Sequence, residues 1–230
     1  MLMETGNDLR INGLGSSSGG KFDFVQINGK GDITGDLECR ELQINGLARL
    51  TGNVKANTIR VSGKSDFRGD ISGNNMIIDG MSDVGGNVKV ETVENRGMLR
   101  IAEDCGSESF SSQGGFTVGG LLNAEKIGIS VYAQCKAREI GGKEIDVRLG
   151  GGSGIRKFIG SLFPGLPLNP VLITDTIEGD NVYLENTTAK VVRGQDVKIG
   201  PGCHIDTVEY KNSYEKNSDA RIIVNESRKI

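Results

Sequence analysis

Glycine recurs in this chain on a fixed ruler. Gly29, Gly46, Gly63, Gly80, Gly97 and Gly114 are each 17 residues apart, and a constant period of that length marks a repeat architecture. A second series, Gly35, Gly52, Gly69 and Gly86, keeps the spacing, breaks at Glu103 and resumes at Gly120. Apolar residues keep step with the glycines. One slot reads Val25, Leu42, Ile59, Met76, Val93, Phe110, Ile127; another reads Ile33, Leu50, Phe67, Val84, Ile101, Val118, Cys135. Two more begin Ile27, Ile44, Val61, Ile78 and Leu37, Val54, Ile71, Val88.

Within one copy, the odd-numbered positions from 25 to 39 are apolar, small or Gly, and most residues between them are polar. Such alternation belongs to strands with one buried face. An odd period must break the alternation once per copy, and it does between Cys39 and Leu42, which places a corner at Arg40 and Glu41. The two glycine slots supply the positive φ or close backbone approach that the other corners need. Asp36, Asn53, Asp70, Asn87 and Asp104 follow as turn-formers.

Seventeen residues are too few for a strand pair plus a helix but fit one coil of three short strands, with like side chains stacked over like. The expected fold class is therefore all-β, a parallel β-solenoid with 17 residues per coil. Residues 25–149 hold seven coils, a rod of about 35 Å at a strand spacing of about 4.8 Å. Leu9, Ile11 and Gly13 anticipate Val25, Ile27 and Gly29 at a spacing of 16, so the stack begins earlier. Asn95, Glu103, Cys105, Ser107 and Ser112 fall in slots that are apolar, small or Gly elsewhere, which predicts a local irregularity. After Ala137 the register slips by one residue, and Ile145, Val147 and Leu149 resume it.

The expected organisation is an N-terminal tail over 1–8, a main solenoid over 9–149, an insertion over 150–171, further coils over 172–210, and a polar tail over 211–230 with one strand near 221–224. The insertion opens with a Gly-rich run over 150–154 and closes with Pro164, Pro167 and Pro170. Between them Ile155, Phe158, Ile159, Leu162 and Phe163 have the spacing of one face of a short amphipathic helix. Its expected role is to dock on or cap the solenoid, with partner or membrane-surface contact as the alternative.

Several function classes are excluded. With 36% apolar residues and only 4 prolines beside 35 glycines, the chain is neither disordered nor collagenous. Lys and Arg number 27 against 30 Asp and Glu, which removes the basic footprint of a nucleic-acid binder. Residues 1–4 lack a signal-peptide pattern and no apolar run reaches membrane-spanning length, so the expected location is the cytoplasm.

The residues that could carry chemistry have plainer roles. Cys39, Cys105, Cys135 and Cys203 lie far apart with no CxxC, as reduced thiols in core slots. His204 is the single histidine and reads as a turn residue, since one histidine cannot build a multi-His metal site. The Asp/Asn series lacks a calcium-binding nonapeptide, and no GK[ST] follows the glycines at 150–154. No catalytic residue, metal or cofactor is expected, and a repeat without insertions between Val25 and Cys135 gives no walls for a pocket.

What such a rod offers is its ends, where unpaired N–H and C=O groups invite pairing with another copy. The candidate assembly residues are Leu9, Ile11, Val25 and Ile27 at one end and Val197, Ile199, Ile205 and Val208 at the other. The 155–163 helix is a candidate limiter of growth.

The motifs Gly-Asp-Ile-Thr-Gly-Asp-Leu at 31–37, Gly-Asn-Val at 52–54 and Gly-Asp-Ile at 69–71 resemble the bactofilins, polymer-forming bacterial cytoskeletal proteins. The blocks at 177–186, 189–194 and 199–203 look like the longer, two-block type of Gram-positive bacteria. The resemblance implies a right-handed triangular β-helix, nucleotide-independent polymerisation through the end coils, and cytoplasmic, often membrane-associated scaffolds serving cell shape, polar organisation or flagellar assembly. Expected partners are further copies of the chain and client proteins, with a peripheral membrane contact. Two alternatives stand beside it: a solenoid adaptor that does not polymerise, and a left-handed β-helix acyltransferase-like enzyme hinted at by residues 197–205.

Overall fold

The computed structural model describes residues 7–151, 170–217 and 223–230. They form one parallel sheet of seventeen strands wound into a β-solenoid of about 12 turns, with about 17 residues per turn. No helix occurs among the described residues. The helix expected over Ile155, Phe158, Ile159, Leu162 and Phe163 lies outside them.

The first strands are β1 (Leu9–Ile11), β2 (Leu14–Ile27), β3 (Lys30–Ile44), β4 (Leu47–Leu50), β5 (Val54–Val61) and β6 (Lys64–Phe67). Then come β7 (Ile71–Ile78), β8 (Met81–Val84), β9 (Val88–Asn95), β10 (Met98–Ile101), β11 (Cys105–Ser112) and β12 (Gly115–Val131). The stack closes with β13 (Gln134–Leu149), β14 (Val171–Leu184), β15 (Thr187–Ile199), β16 (His204–Lys216) and β17 (Ile223–Lys229).

The register is the one the period dictates. Leu42 pairs with Ile59, Ile59 with Met76, Met76 with Val93, Val93 with Phe110 and Phe110 with Ile127. All six are buried, as are Ile33, Leu50, Phe67, Val84, Ile101 and Val118 in the neighbouring slot. Each coil has three pairing segments, and the ladder skips Arg40 between Cys39 and Glu41, at the predicted odd step.

The first glycine series is explained by close approach. A Cβ on Gly46, Gly63, Gly80, Gly97 or Gly114 would stand inside 3.0 Å of the carbonyl oxygen of the glycine one coil below. In the second series only Gly35 has a positive φ, at 88°; a Cβ on Gly52 would meet the backbone of Gly35.

The Asp/Asn residues behind that second glycine form a ladder of their own. The Asn53 N–H donates to Asp36 Oδ1 at 2.8 Å, Asp70 N–H to Asn53 Oδ1 at 2.9 Å, Asn87 N–H to Asp70 Oδ1 at 2.7 Å and Asp104 N–H to Asn87 Oδ1 at 3.3 Å. Leu121 N–H closes the series on Asp104 Oδ1 at 2.7 Å. Every side chain thus satisfies a corner N–H of the next coil. Asp and Asn alternate through five positions, so no two carboxylates stand one coil apart.

The coil expected to be irregular keeps its register on both sides, since β11 pairs with β9 and β12 at an offset of 17. Its polar residues are absorbed by hydrogen bonding: buried Asn95 donates through Nδ2 to Ser112 Oγ and to the Gly115 carbonyl, both at 3.0 Å. Asn95 Oδ1 and Ser107 Oγ are buried without a partner.

The irregularity lies one coil further on. Val118 pairs with Ala137, and Cys135 pairs with Phe116 instead of Val118 as the spacing had implied. Ser130 and Val131 add two residues at a corner, and a shift between Val118 and Leu121 removes one, leaving the net slip of one. The core widens there: Phe116 fills a slot that holds Ala48 and Ser65 in earlier coils, and packs edge-on against Phe110 at 5.2 Å. A wider core needs a longer coil, so the repeat does admit an insertion before Cys135.

The insertion does not divide the rod. β14 stacks directly on β13 through eleven register pairs, so the two sequence blocks are one continuous ladder. Adjacent residues of a single corner hold both feet of the insertion. Glu185 Oε2 accepts the Leu149 N–H at 2.8 Å, and Asn186 Nδ2, on a backbone with φ of 45°, donates to the Pro170 carbonyl at 3.0 Å.

The expected polar tail carries strand: β16 runs to Lys216, and β17 adds a further coil over Ile223–Lys229. The sequence placed one strand near 221–224; its full length and the extension of β16 leave little alternation to read, because a terminal coil covers the core from one side and most of β17 is exposed.

Candidate assembly ends

At the N-terminal end Leu9 pairs with Val25 and Ile11 with Ile27. Ile11 is buried, Leu9 is half-buried, and Leu14 is 86% exposed. Among the described residues no strand lies beneath residues 9–11, 14–18 or 20–22, which leaves one edge of backbone N–H and C=O groups open. Arg10 stacks 4.9 Å above the Phe24 ring and pairs with Asp8 at 3.2 Å. Lys21, exposed on the same edge, pairs with Glu38 at 3.0 Å, and this contact holds the Glu38 carboxyl below its usual range.

At the C-terminal end β17 pairs only with β16 among the described strands. It contributes one partly buried apolar side chain to the core, Val224. Its outer side carries Asn225, Glu226, Arg228 and Lys229, all exposed, and charge on an edge strand opposes further pairing. Beneath it the Glu209 carboxylate, 7% exposed, lies between Arg193 and Arg228, whose guanidinium groups both donate to it. Those two hydrogen bonds pull its pKa down from 4.5.

The candidate residues read from sequence are therefore split. Leu9 and Ile11 belong to the terminal coil. Val25 and Ile27 are covered by β1, Ile205 and Val208 by β17, and Val197 and Ile199 by the end of β16; all six are buried. Leu14, Lys21, Glu209 and Arg228 occupy the ends and escaped the apolar pattern.

The chemistry-bearing residues stay apart. The thiols of Cys39, Cys105 and Cys135 are pushed up to about 12 and that of Cys203 to about 11, chiefly by burial. His204 is exposed at the start of β16. No cluster of three or more His, Cys, Asp or Glu side chains able to hold a metal occurs among the described residues. Small side chains at Ser72, Gly73, Gly106 and Ser107 leave an open depression of about 860 Å³ on one flank, a feature the uniform repeat argued against. No described helix is long and apolar enough to cross a membrane.

The comparisons with known proteins agree with this geometry. The family model described as bactofilin, polymer-forming cytoskeletal, matches residues 3–89. The uncharacterized protein YhbE of Bacillus subtilis (strain 168) is 47% identical over 221 residues, 88% of this chain and 90% of that protein. The uncharacterized protein YhbF of the same strain is 44% identical over 87 residues, 37% of this chain and 32% of its own length. No solved structure matches. A glycine-pinned parallel solenoid, matched by that family model and by a relative along nearly its whole length, identifies the chain as a member of the bactofilin family of polymer-forming cytoskeletal proteins.

Proposed function

We propose that the rod is a scaffold that polymerises by stacking its end coils and organises other proteins along its length. The observation that carries this is the edge beneath the first coil, unpaired among the described residues, where exposed Leu14 and half-buried Leu9 stand on backbone groups that a further strand would satisfy. An association built on backbone pairing needs no nucleotide, and no residue constellation for catalysis accompanies it among the described residues. The polymer-forming character of the family supports self-association as the primary activity.

In this reading the polymer works in the cytoplasm, in cell shape or flagellar assembly, with client proteins bound along the flanks. The segment carrying Ile155, Phe158, Ile159, Leu162 and Phe163 docks on or caps the solenoid in this reading, with contact to a client or a membrane surface as the alternative. Leu14→Asp and Ile11→Asp test the end contact. Both proteins should keep a strand-rich circular dichroism spectrum, and their polymers should shorten or vanish in negative-stain images. Unchanged filaments from both would remove the N-terminal edge as the contact.

A further inference from the structure

The tripeptide Ile-Asn-Gly occurs at 11–13, 27–29 and 44–46, and these hold all three Asn-Gly steps of the chain. The register stacks them at one corner of the first three coils. Their side-chain amides form a ladder: Asn28 Nδ2 donates to Asn12 Oδ1 and Asn45 Nδ2 to Asn28 Oδ1, both at 2.8 Å. Asparagine is a chemically labile residue, and a following glycine leaves it least shielded, because no Cβ obstructs the nitrogen that can attack its amide. Since the tripeptides are identical, the surroundings decide which of them reacts.

The two inner steps are fastened to the coil beneath on both sides of the reactive bond. Asn28 and Asn45 N–H donate to Ile11 O and Ile27 O, and Lys30 and Leu47 N–H to Gly13 O and Gly29 O, all at 2.8 Å. Gly46 N–H is engaged as well, donating to Ile27 O at 3.1 Å. A Cβ on Gly29 or Gly46 would stand inside 3.0 Å of the carbonyl oxygen beneath it, so neither peptide has room to turn. Asn12 lacks this fastening. It is exposed, no described strand lies beneath it, and its Nδ2 has no acceptor among the described residues. A Cβ on Gly13 would meet nothing within 4 Å. The bond that Asn12 Oδ1 accepts from Asn28 draws charge from the carbon under attack.

We propose that Asn12 is a modification site of the folded chain, deamidating through a cyclic imide with Gly13 while Asn28 and Asn45 are protected by the coil beneath them. The Gly13 nitrogen bonds to Asn12 Cγ and loses its proton to solvent. The Cγ–Nδ2 bond breaks, and Nδ2 takes up a proton and leaves as ammonia. Water then opens the ring. Cleavage between Cγ and the Gly13 nitrogen gives an aspartate; cleavage at the main-chain carbonyl gives an isoaspartate, whose backbone runs through Cγ and is one carbon longer. Either product exchanges –NH2 for –OH without oxidation or reduction. The isoaspartate displaces the Gly13 carbonyl that accepts the Lys30 N–H and so loosens β1 from the stack. This inference rests on the corner geometry and is independent of the scaffold reading.

The test keeps the full chain in mildly alkaline buffer, below the concentration at which it assembles, and follows all three sites by peptide mass mapping. Asn12 should convert about tenfold or more faster than Asn28 or Asn45, because the inner sites react only from locally opened molecules. In denaturant the three should convert alike. Gly13→Ala places a Cβ in open space on a backbone without positive φ; it should slow conversion of Asn12 by about tenfold and leave the melting temperature unchanged. Loss of hydrogen-exchange protection at the Lys30 amide should track the isoaspartate fraction. Equal rates at the three sites of the folded chain, or Asn28 or Asn45 converting first, would overturn the assignment. The same tenfold spread persisting in denaturant would overturn the protection by stacking, and full Lys30 protection in isoaspartate-containing molecules would overturn the loosening of β1.

Discussion

Gly63→Ala separates close approach from conformational freedom as the reason for the glycine ladder. Gly63 has no positive φ, so an alanine there is not strained by its dihedrals. Its Cβ, however, would stand more than about 1 Å inside the 3.4 Å at which ordinary contact begins, against Gly46 O, and would also meet Asn45 O at 2.7 Å. Both neighbours are backbone atoms and cannot rotate away. Two bonds of the same corner hold the coils at this spacing, Gly63 N–H to Ile44 O at 3.1 Å and Lys64 N–H to Gly46 O at 2.8 Å.

Opening the coil spacing from about 4.8 Å by about 1 Å sacrifices both bonds, at roughly 0.5–1.5 kcal/mol each, on top of about 1–3 kcal/mol for overpacking. The expected loss is about 3 kcal/mol, which for a chain of this size lowers Tm by about 6–12 °C. Gly106→Ala and Gly128→Ala are the controls, because a Cβ at either position meets nothing within 4 Å. They should be neutral or stabilising by up to about 1 kcal/mol, since alanine restricts the unfolded chain. Thermal melting followed by circular dichroism below the assembly concentration reads all three. A Gly63→Ala protein melting within about 2 °C of the parent, or three variants shifting alike, would refute the argument.

Replacing Asn95 and Ser112 together by valine removes a buried carbonyl oxygen without a partner from a slot otherwise filled by Ile44, Val61 and Ile78, and should raise stability by about 1–2 kcal/mol in denaturant titration. Asn53→Asp puts a carboxylate between those of Asp36 and Asp70 in successive coils; it should cost about 1 kcal/mol in denaturant titration at neutral pH, and added salt should reduce the cost. Glu209 has a depressed pKa, so its stabilising effect is present above its usual value of 4.5 and is lost as the pH falls below it. Glu178, beside Arg193 at 4.0 Å, and Glu226, beside Arg228 at 3.6 Å, share its guanidinium partners. Acid should therefore strip hydrogen-exchange protection from β17 before it affects Leu42. With thiols raised to about 11–12, the four cysteines should stay unmodified by iodoacetamide at pH 8 in the native chain and react fully once it is unfolded.

The central coils were legible because every coil flanked on both sides buries the same slots, and burial imprints alternation on the sequence. The ends break that rule. Val25, Ile27, Ile205 and Val208 look terminal in the pattern because the coils outside them are covered on one side and have no need of full alternation. β17 shows in the sequence only as a short strand near 221–224 inside a polar tail for that reason, and nothing in its composition announces that Arg228 reaches Glu209. The Cys135 register was misplaced for a different reason. Phe116, Val131 and Ala133 enlarge one coil, and a two-residue excess followed by a one-residue loss looks like a single slip when only spacing is counted. The Asp/Asn series was recognisable as corner chemistry, but its bonds run between coils and not within one turn, and that direction appears only in three dimensions.

The corner formed by Glu185 and Asn186 has a practical consequence. The chain departs at Leu149 and rejoins by Val171 on neighbouring turns of the same wall, and the ladder above and below carries on in step. Lengthening a connection whose ends are already together costs only about 0.6 kcal/mol for each doubling when the added chain is flexible. That makes this site a natural docking port for foreign cargo: a fluorescent domain spliced between Gly151 and Pro170 would ride on the rod's side, leaving both tips free to report on growth.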